Sequence, residues 1–204
     1  MPRPTKFTVD DLLDGALAAL VEHGRGASVA QVSASVGAPT GSIYHRFTSR
    51  DELFARLWLR SIRRFHSAMF AGGEGRDARQ ALVDNAAHVV SYTREHPREA
   101  LAMTLWRQRD LALRGPQAVR EEAAAINDEY LAAIHELVEA CYGRATPRRM
   151  ELASLACAEM PYGLVRPYVY EGAVAPRWLE DVARASARAV LALGDDDPTD
   201  DAPA

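Results

Sequence analysis

The chain has 204 residues, 48% hydrophobic and 25% charged, with aromatics at 7% and a formal net charge of −4. That is enough sequence to bury a real core, as one ordinary domain or a small and a medium one, and no apolar run approaches the length that crosses a bilayer. Cys141 and Cys157 form no CxxC pair and follow no signal peptide, so a reducing cytoplasm is the expected setting.

The first 66 residues are net basic and the remainder net acidic. A basic head on an acidic body fits nucleic acid meeting the head alone. Met1 to Phe7, with Arg3 and Lys6, reads as a short basic arm rather than a targeting segment. Thr8 and Asp11 then form a capping-box pattern, and Val9, Leu12, Leu13, Ala16, Leu17 and Leu20 recur at helical spacing up to Gly24.

Ser28 and Gln31 open a second helix with the same reciprocal cap. Val29, Val32 and Val36 give it one apolar stripe, and Gly37 supplies a left-handed stop. Ala38 and Pro39 make a corner, with Pro expected at the first position of the next helix, predicted over Ser42 to Phe47. Ile43 and Phe47 face inward there, leaving Thr40, Gly41, Ser42, Tyr44, His45 and Arg46 outward. Hydroxyl donors, a small residue, an aromatic and a cation suit a helix laid in a major groove.

The run GAPTGSIYHRFTSRDELF resembles the recognition helix and following segment of TetR-type transcriptional repressors, and the resemblance covers roughly residues 7 to 60. It implies an all-α fold, with an N-terminal three-helix helix-turn-helix DNA-binding domain (1–50). A C-terminal helical ligand-binding and dimerisation bundle (51–194) follows, and then an acidic tail (195–204). It implies a ligand-responsive regulator, most often a repressor released by a small, largely apolar effector, bound as a homodimer to a palindromic operator on double-stranded DNA. Ser28, Thr40, Gly41, Ser42, Tyr44, His45, Arg46, Thr48 and Arg50 are the expected DNA-binding set. Tyr44, His45, Thr48 and Arg50 would hold phosphates, and Thr40, Ser42 and Arg46 would touch base edges. Thr40 stands where the family often has lysine, and Arg46 where it often has a second aromatic.

Ser49 and Glu52 make a third capping-box pattern, ahead of a long helix striped by Leu53, Phe54, Leu57, Trp58, Ile62, Phe65 and Met69. Gly72 to Gly75 is a loop, with neither the strand nor the Lys-Ser that a phosphate-binding loop requires. Leu82 to Thr93 is helical up to His96-Pro97, Ala100 to Arg109 is a shorter helix, and Gly115-Pro116 breaks it. Val119 to Cys141 is predicted as one long helix. Thr146-Pro147 starts another, disturbed at Pro161 and Gly163 and continued over Leu164 to Tyr170, and Pro176 starts the last.

His88, Tyr92, Met103, Trp106, Tyr130, Glu159, Met160 and Tyr162 are the candidate effector-lining set, being large or amphipathic side chains with two polar anchors. In the family the last two long helices pair across a two-fold axis. That pairing implies a dimer interface through Leu152, Leu155, Ala156, Val182, Ser186, Ala189 and Val190. The tail over 195–204, DDDPTDDAPA, is acidic, contains proline and lacks large apolar residues, and is expected to be disordered. No HExxH, GxSxG, GxGxxG or P-loop occurs and no two histidines share a helical i, i+4 spacing, so no enzyme, cofactor or metal is expected. The alternative is a DNA-binding dimer whose body is a protein-interaction platform with no small effector.

Overall fold

The structure, a computed structural model, describes residues 7–70 and 77–196, with no side-chain account of Phe70. All regular structure among the described residues is helical. The expectations for residues 1–6, for the glycine loop at 72–75 and for the tail beyond 196 lie outside this range. The chain divides into two compact units, residues 1–64 with 98–126, and residues 65–97 with 127–204.

The first unit opens with α1 (Val9–His23), α2 (Val29–Val36) and α3 (Thr40–Tyr44). Both expected caps form: the Thr8 and Ser28 hydroxyls accept from the N–H groups of Asp11 and Gln31, whose side chains accept from the cap backbone in return. Gly37 ends α2 at φ 69°, in the left-handed region that a β-carbon penalises. Leu12, Leu20, Val32, Ile43, Phe47, Leu53 and Leu57 meet in one core, which also takes in Ala102.

The α4 helix (Arg50–Phe70) gives its residues up to Arg64 to this unit. Its Leu53, Phe54 and Leu57 enter the first core, while Ala55, Trp58 and Leu59 enter a second one with Leu111, Val119 and Ala123. A helix with apolar side chains on two faces thus holds two cores apart. α6 (Pro97–Met103), α7 (Gln108–Arg114) and α8 (Arg120–Ala125) complete the sequence of helices here, α6 beginning at the boundary between the units. The expected helix over Ala100 to Arg109 is therefore two. The chain turns at Thr104 to Arg107, where the Thr104 and Leu105 N–H groups reach back only three residues, to Leu101 and Ala102.

In the second unit α5 (Ala78–Glu95) packs against α9 (Asp128–Tyr142), α11 (Met160–Glu171) and α12 (Trp178–Ala192). The single helix predicted over Val119 to Cys141 is interrupted by a turn at Ile126 and Asn127. Val119 and Ala123 bury in the first unit's core, whereas Ile134 and Val138 bury in the second's, so one straight stripe could not serve both. After α10 (Pro147–Ser154) the regular helix is disturbed just ahead of Pro161. It passes through a wide π turn over Leu155–Glu159, in which the Met160 N–H donates to the Leu155 carbonyl five residues back. Pro161, which has no N–H to donate, then sits in the first turn of α11. α12 buries Leu179, Ala183, Ala187 and Leu191, every fourth residue, against α5 and its neighbours. Asp195 and Asp196, expected in the disordered tail, are tied to the fold through Arg79 and Arg148.

Candidate nucleic-acid interface and histidine cluster

The recognition segment is shorter than its apolar spacing predicts. Pro39 caps α3 rather than entering it, the Ser42 N–H donates to the Pro39 carbonyl at 2.8 Å, and the helix ends at Tyr44. Beyond it the Arg46 and Phe47 N–H groups both turn to the Ile43 carbonyl, which still sends Phe47 into the core. The turn before α3 is pinned by Ser33, whose hydroxyl donates to the Ala38 carbonyl at 2.5 Å. Ser33 was not among the expected site residues, because a serine inside an apolar stripe carries no signal of its tertiary partner.

Thr40, Gly41, Tyr44, His45 and Thr48 are exposed, Ser42 and Ser28 half-buried. A β-carbon on Gly41 would meet nothing within 4 Å. This part of α3 is an open surface of donors, with Tyr44 standing 52% exposed. The third capping box is displaced by one residue: Ser49 accepts from the Glu52 N–H, but the Glu52 carboxylate takes the N–H and hydroxyl of Thr48, at 2.8 and 2.6 Å.

The two cations of the set are engaged. Arg50 Nε donates to the Ala27 carbonyl at 2.6 Å, its Nη2 to that of Arg25, and its guanidinium lies 4.6 Å from the centre of the Phe54 ring. Arg46 Nη2 donates to the Phe7 carbonyl at 2.7 Å and Nη1 to the Ser42 carbonyl at 3.2 Å. A groove of about 430 Å³ passes Phe7, Asp11, Asp14 and Gly15. Its carboxylates are already used, Asp11 in the α1 cap and Asp14 on Arg60 at 2.8 Å.

The expected effector-lining set separates. Met103 and Trp106 belong to the first unit, where the Met103 carbonyl accepts from the Trp58 indole at 2.9 Å and Trp106 packs on the second core. Glu159, Met160 and Tyr162 are exposed. His88, Tyr92 and Tyr130 do lie in one cluster, together with Phe65, His66 and His96, which sequence spacing alone did not group. His66 stacks on Tyr130 at 5.4 Å between ring centres and 9° between planes. Phe65 meets Tyr92 edge-on at 5.2 Å and His88 at 5.1 Å, Tyr92 lies 4.6 Å from His96, and His88 Nε2 is 3.3 Å from the Phe65 carbonyl. Burial pushes both His66 and His88 below the ordinary histidine range, and pushes the Tyr130 phenol up. Both imidazoles are thus neutral near pH 7. Among the described residues, no group of three or more His, Cys, Asp or Glu is arranged to hold a metal ion.

Of the expected dimer set, Ala156 is buried in the unit's own core, Val190 packs half-buried against it, and Leu152, Val182 and Ser186 are also half-buried. Leu155 and Ala189 are exposed. Buried Cys157 donates its thiol to the Leu82 carbonyl at 3.3 Å, and burial raises its pKa to about 12. That makes it a packing residue rather than a reactive thiol.

A capped α2, a pinned turn and an exposed α3 on a three-helix core define a helix-turn-helix DNA-binding protein. Residues 12–57 match the family described as bacterial regulatory proteins, tetR family, and the helix-turn-helix lies within that match. The TetR-type resemblance and the all-α fold expected from the sequence both hold. A search of curated proteins finds no match. Among solved structures, a transcriptional regulator from Rhodococcus sp. RHA1 is 24% identical over 94% of this chain and 100% of its own, with a TM-score of 0.71. The fatty acid degradation regulator FadR from Bacillus halodurans is 16% identical, covering 93% and 97%, at 0.69. The TetR family regulator PfmR from Thermus thermophilus is 18% identical, covering 89% and 97%, at 0.63. These structures share the fold. No helix among the described residues is long and apolar enough to cross a membrane.

Proposed function

We propose that the chain is a homodimeric, ligand-responsive repressor that leaves a palindromic operator when a small, largely apolar effector binds its C-terminal domain. The functional boundary is set at residue 50, with residues 51–194 forming the effector and dimerisation domain. The observation that carries DNA binding is the exposed surface of α3 on its buried Ile43 and Phe47, held by the Ser33 pin. Tyr44, His45, Thr48 and Arg50 serve phosphates and register, and Thr40 and Ser42 face base edges.

Dimerisation is supported by what α12 leaves uncovered. Its Leu179, Ala183, Ala187 and Leu191 are spent inside the unit, yet Trp178 is 59% and Leu193 56% exposed, with Val182, Ser186 and Ala189 between them. Two half-sites one helical turn apart, about 34 to 36 Å, require two heads. The effector reading is supported by the aromatic and neutral-histidine cluster on α4, α5 and α9, an apolar setting with a few hydrogen-bonding atoms. The fold shared with a regulator of fatty acid degradation is in keeping with an apolar effector.

Fluorescence anisotropy of the purified protein on its own upstream DNA, across a salt series, tests the DNA reading. Specific, salt-sensitive binding is expected. Binding no tighter than to random duplex, followed by failure to enrich any sequence from a random pool, would end it. A hydrophobic ligand library then distinguishes a sensor, which releases DNA with some ligand, from a protein-interaction platform, which responds to none.

A further inference from the structure

The ring cluster on α4, α5 and α9 of the second unit contains polar atoms that the protein itself does not use. His66 stacks on Tyr130 with 9° between the planes, and both side chains are half-buried. Among the described residues, the His66 ring nitrogens and the Tyr130 hydroxyl have no hydrogen-bond partner. The neighbouring imidazole differs, since His88 Nε2 is spent on the Phe65 carbonyl at 3.3 Å. Where a side-chain nitrogen among the described residues is fully enclosed without a partner, it belongs to Arg60, in the other unit. The open atoms of His66 and Tyr130 therefore border accessible space and not packed protein. Beside them the wall is apolar: Phe65 lies 5.8 Å from His66, and Tyr92 meets Phe65 edge-on at 5.2 Å. A few unspent polar atoms at the edge of an apolar surface are what fixes a small molecule's orientation.

The charge of the ligand's polar end follows from the same groups. A cationic end needs a carboxylate beside it, and the one that bears on His66, Glu129, is exposed. A neutral hydroxyl can use the open atoms but leaves the imidazole as it is. A carboxylate does more: it accepts from the Tyr130 hydroxyl, whose proton burial holds in place, and its charge draws a proton onto His66. The imidazolium and carboxylate cancel each other's charge, so the pair tolerates a partly buried setting that is costly for either ion alone. We propose that the effector is a carboxylic acid with an apolar body, its carboxylate held by His66 and Tyr130 and its body laid along Phe65 and Tyr92. This rests on the effector reading above and names the chemical class that the site takes. Because burial keeps His66 neutral in the free protein, solvent supplies the proton, one for each acid bound. His88 of α5 opposes that protonation and Glu129 of α9 favours it. His88 in turn faces Glu95 and His96, and Cys157 stands near Tyr130.

The test is isothermal titration calorimetry of the full chain with octanoic acid and octanol, and with the hexyl and decyl members of each series. Titrations in buffers of different ionisation enthalpy count the protons taken up. The acid is expected to bind tighter than the alcohol and to take up about one proton near pH 7, so its affinity should fall about tenfold for each unit of rising pH. The alcohol's affinity should not change with pH. His66→Gln keeps a hydrogen-bonding side chain that cannot hold the proton. It should abolish the uptake and weaken the acid about tenfold, the scale of a hydrogen bond to a charged group, with little change for the alcohol. Tyr130→Phe should weaken the acid while the uptake persists; if His66→Gln melts early, the wild-type proton count and Tyr130→Phe carry the test. An alcohol that binds as tightly as its acid overturns the proposal and leaves the effector reading standing. Acid binding without proton uptake, or with uptake that survives in a folded His66→Gln protein, overturns it too. Binding of neither series also overturns it, and the effector reading falls as well only if the hydrophobic library yields no ligand.

Discussion

A β-carbon built on Gly15 would stand 1.9 Å from Val36 Cγ2 and 3.4 Å from the Val32 carbonyl. The α1 and α2 helices therefore approach through a position that admits no side chain. Alanine at this site would gain up to about 1 kcal/mol of helix propensity. Overpacking against a β-branched side chain costs about 1 to 3 kcal/mol, so the clash should win. Gly15→Ala is expected to lower the urea midpoint, and adding Val36→Ala should recover part of the loss. A Gly15→Ala protein as stable as wild type would mean that the two helices pack differently.

Ser33 offers a milder test of the same head. Its bond to the Ala38 carbonyl fixes the corner between α2 and α3. Ser33→Ala should cost about 1 kcal/mol in denaturant unfolding, the usual net worth of a hydrogen bond. Operator affinity should fall with it, since α3 is aimed by that corner; unchanged affinity would show that the corner holds without the bond.

Tyr44 should separate stability from function. It is exposed, so Tyr44→Ala is expected to change unfolding free energy by no more than about 0.5 kcal/mol. Operator affinity should nonetheless fall about tenfold, or 1.4 kcal/mol. An equal loss on stability and binding would instead make Tyr44 a packing residue.

The histidine cluster predicts acid sensitivity. His66 is lowered chiefly by burial and further by His88, against Glu129; His88 is lowered chiefly by burial and further by His96, against the Phe65 carbonyl and Glu95. Their folded pKa values lie below the unfolded value of about 6.5, so between the two the unfolded chain binds more protons. Their contribution is intact above about pH 6.5 and is lost as pH falls through that value toward the folded ones. The urea midpoint should drop between pH 7.5 and 5.5, and the drop should shrink in a His66→Gln/His88→Gln protein. An equal drop in both proteins would assign the acid sensitivity to carboxylates instead.

The uncovered stripe of α12 predicts a dimer that charge can split. Val182→Glu with Ala189→Glu would set like charges against each other at a two-fold contact, at a cost of several kcal/mol. At about 3 kcal/mol the dimer dissociation constant rises roughly hundredfold, readable by sedimentation velocity. The buried residues Leu179, Ala183, Ala187 and Leu191 are untouched, so the helical signal should persist. A wild-type protein that sediments as a monomer would remove the proposed interface.

What the sequence by itself determined is local. Thr8 with Asp11 and Ser28 with Gln31 define helix starts because each pair lies three residues apart, within one turn, and Gly37 marks a stop because its φ of 69° suits no β-carbon. The inward faces of Ile43 and Phe47 were legible for the same reason, since i and i+4 share a side of a helix. Tertiary structure decided what depends on a partner distant in sequence. Packing of α12 against α5 takes Leu179, Ala183, Ala187 and Leu191 and leaves Trp178 and Leu193 outside. The helix predicted across Ile126 and Asn127 divides because its halves serve different cores. Arg46 looked free to face a groove until the fold brought the Phe7 carbonyl to its guanidinium. Periodicity reports which side of a helix is apolar, and only the folded chain decides what each side meets.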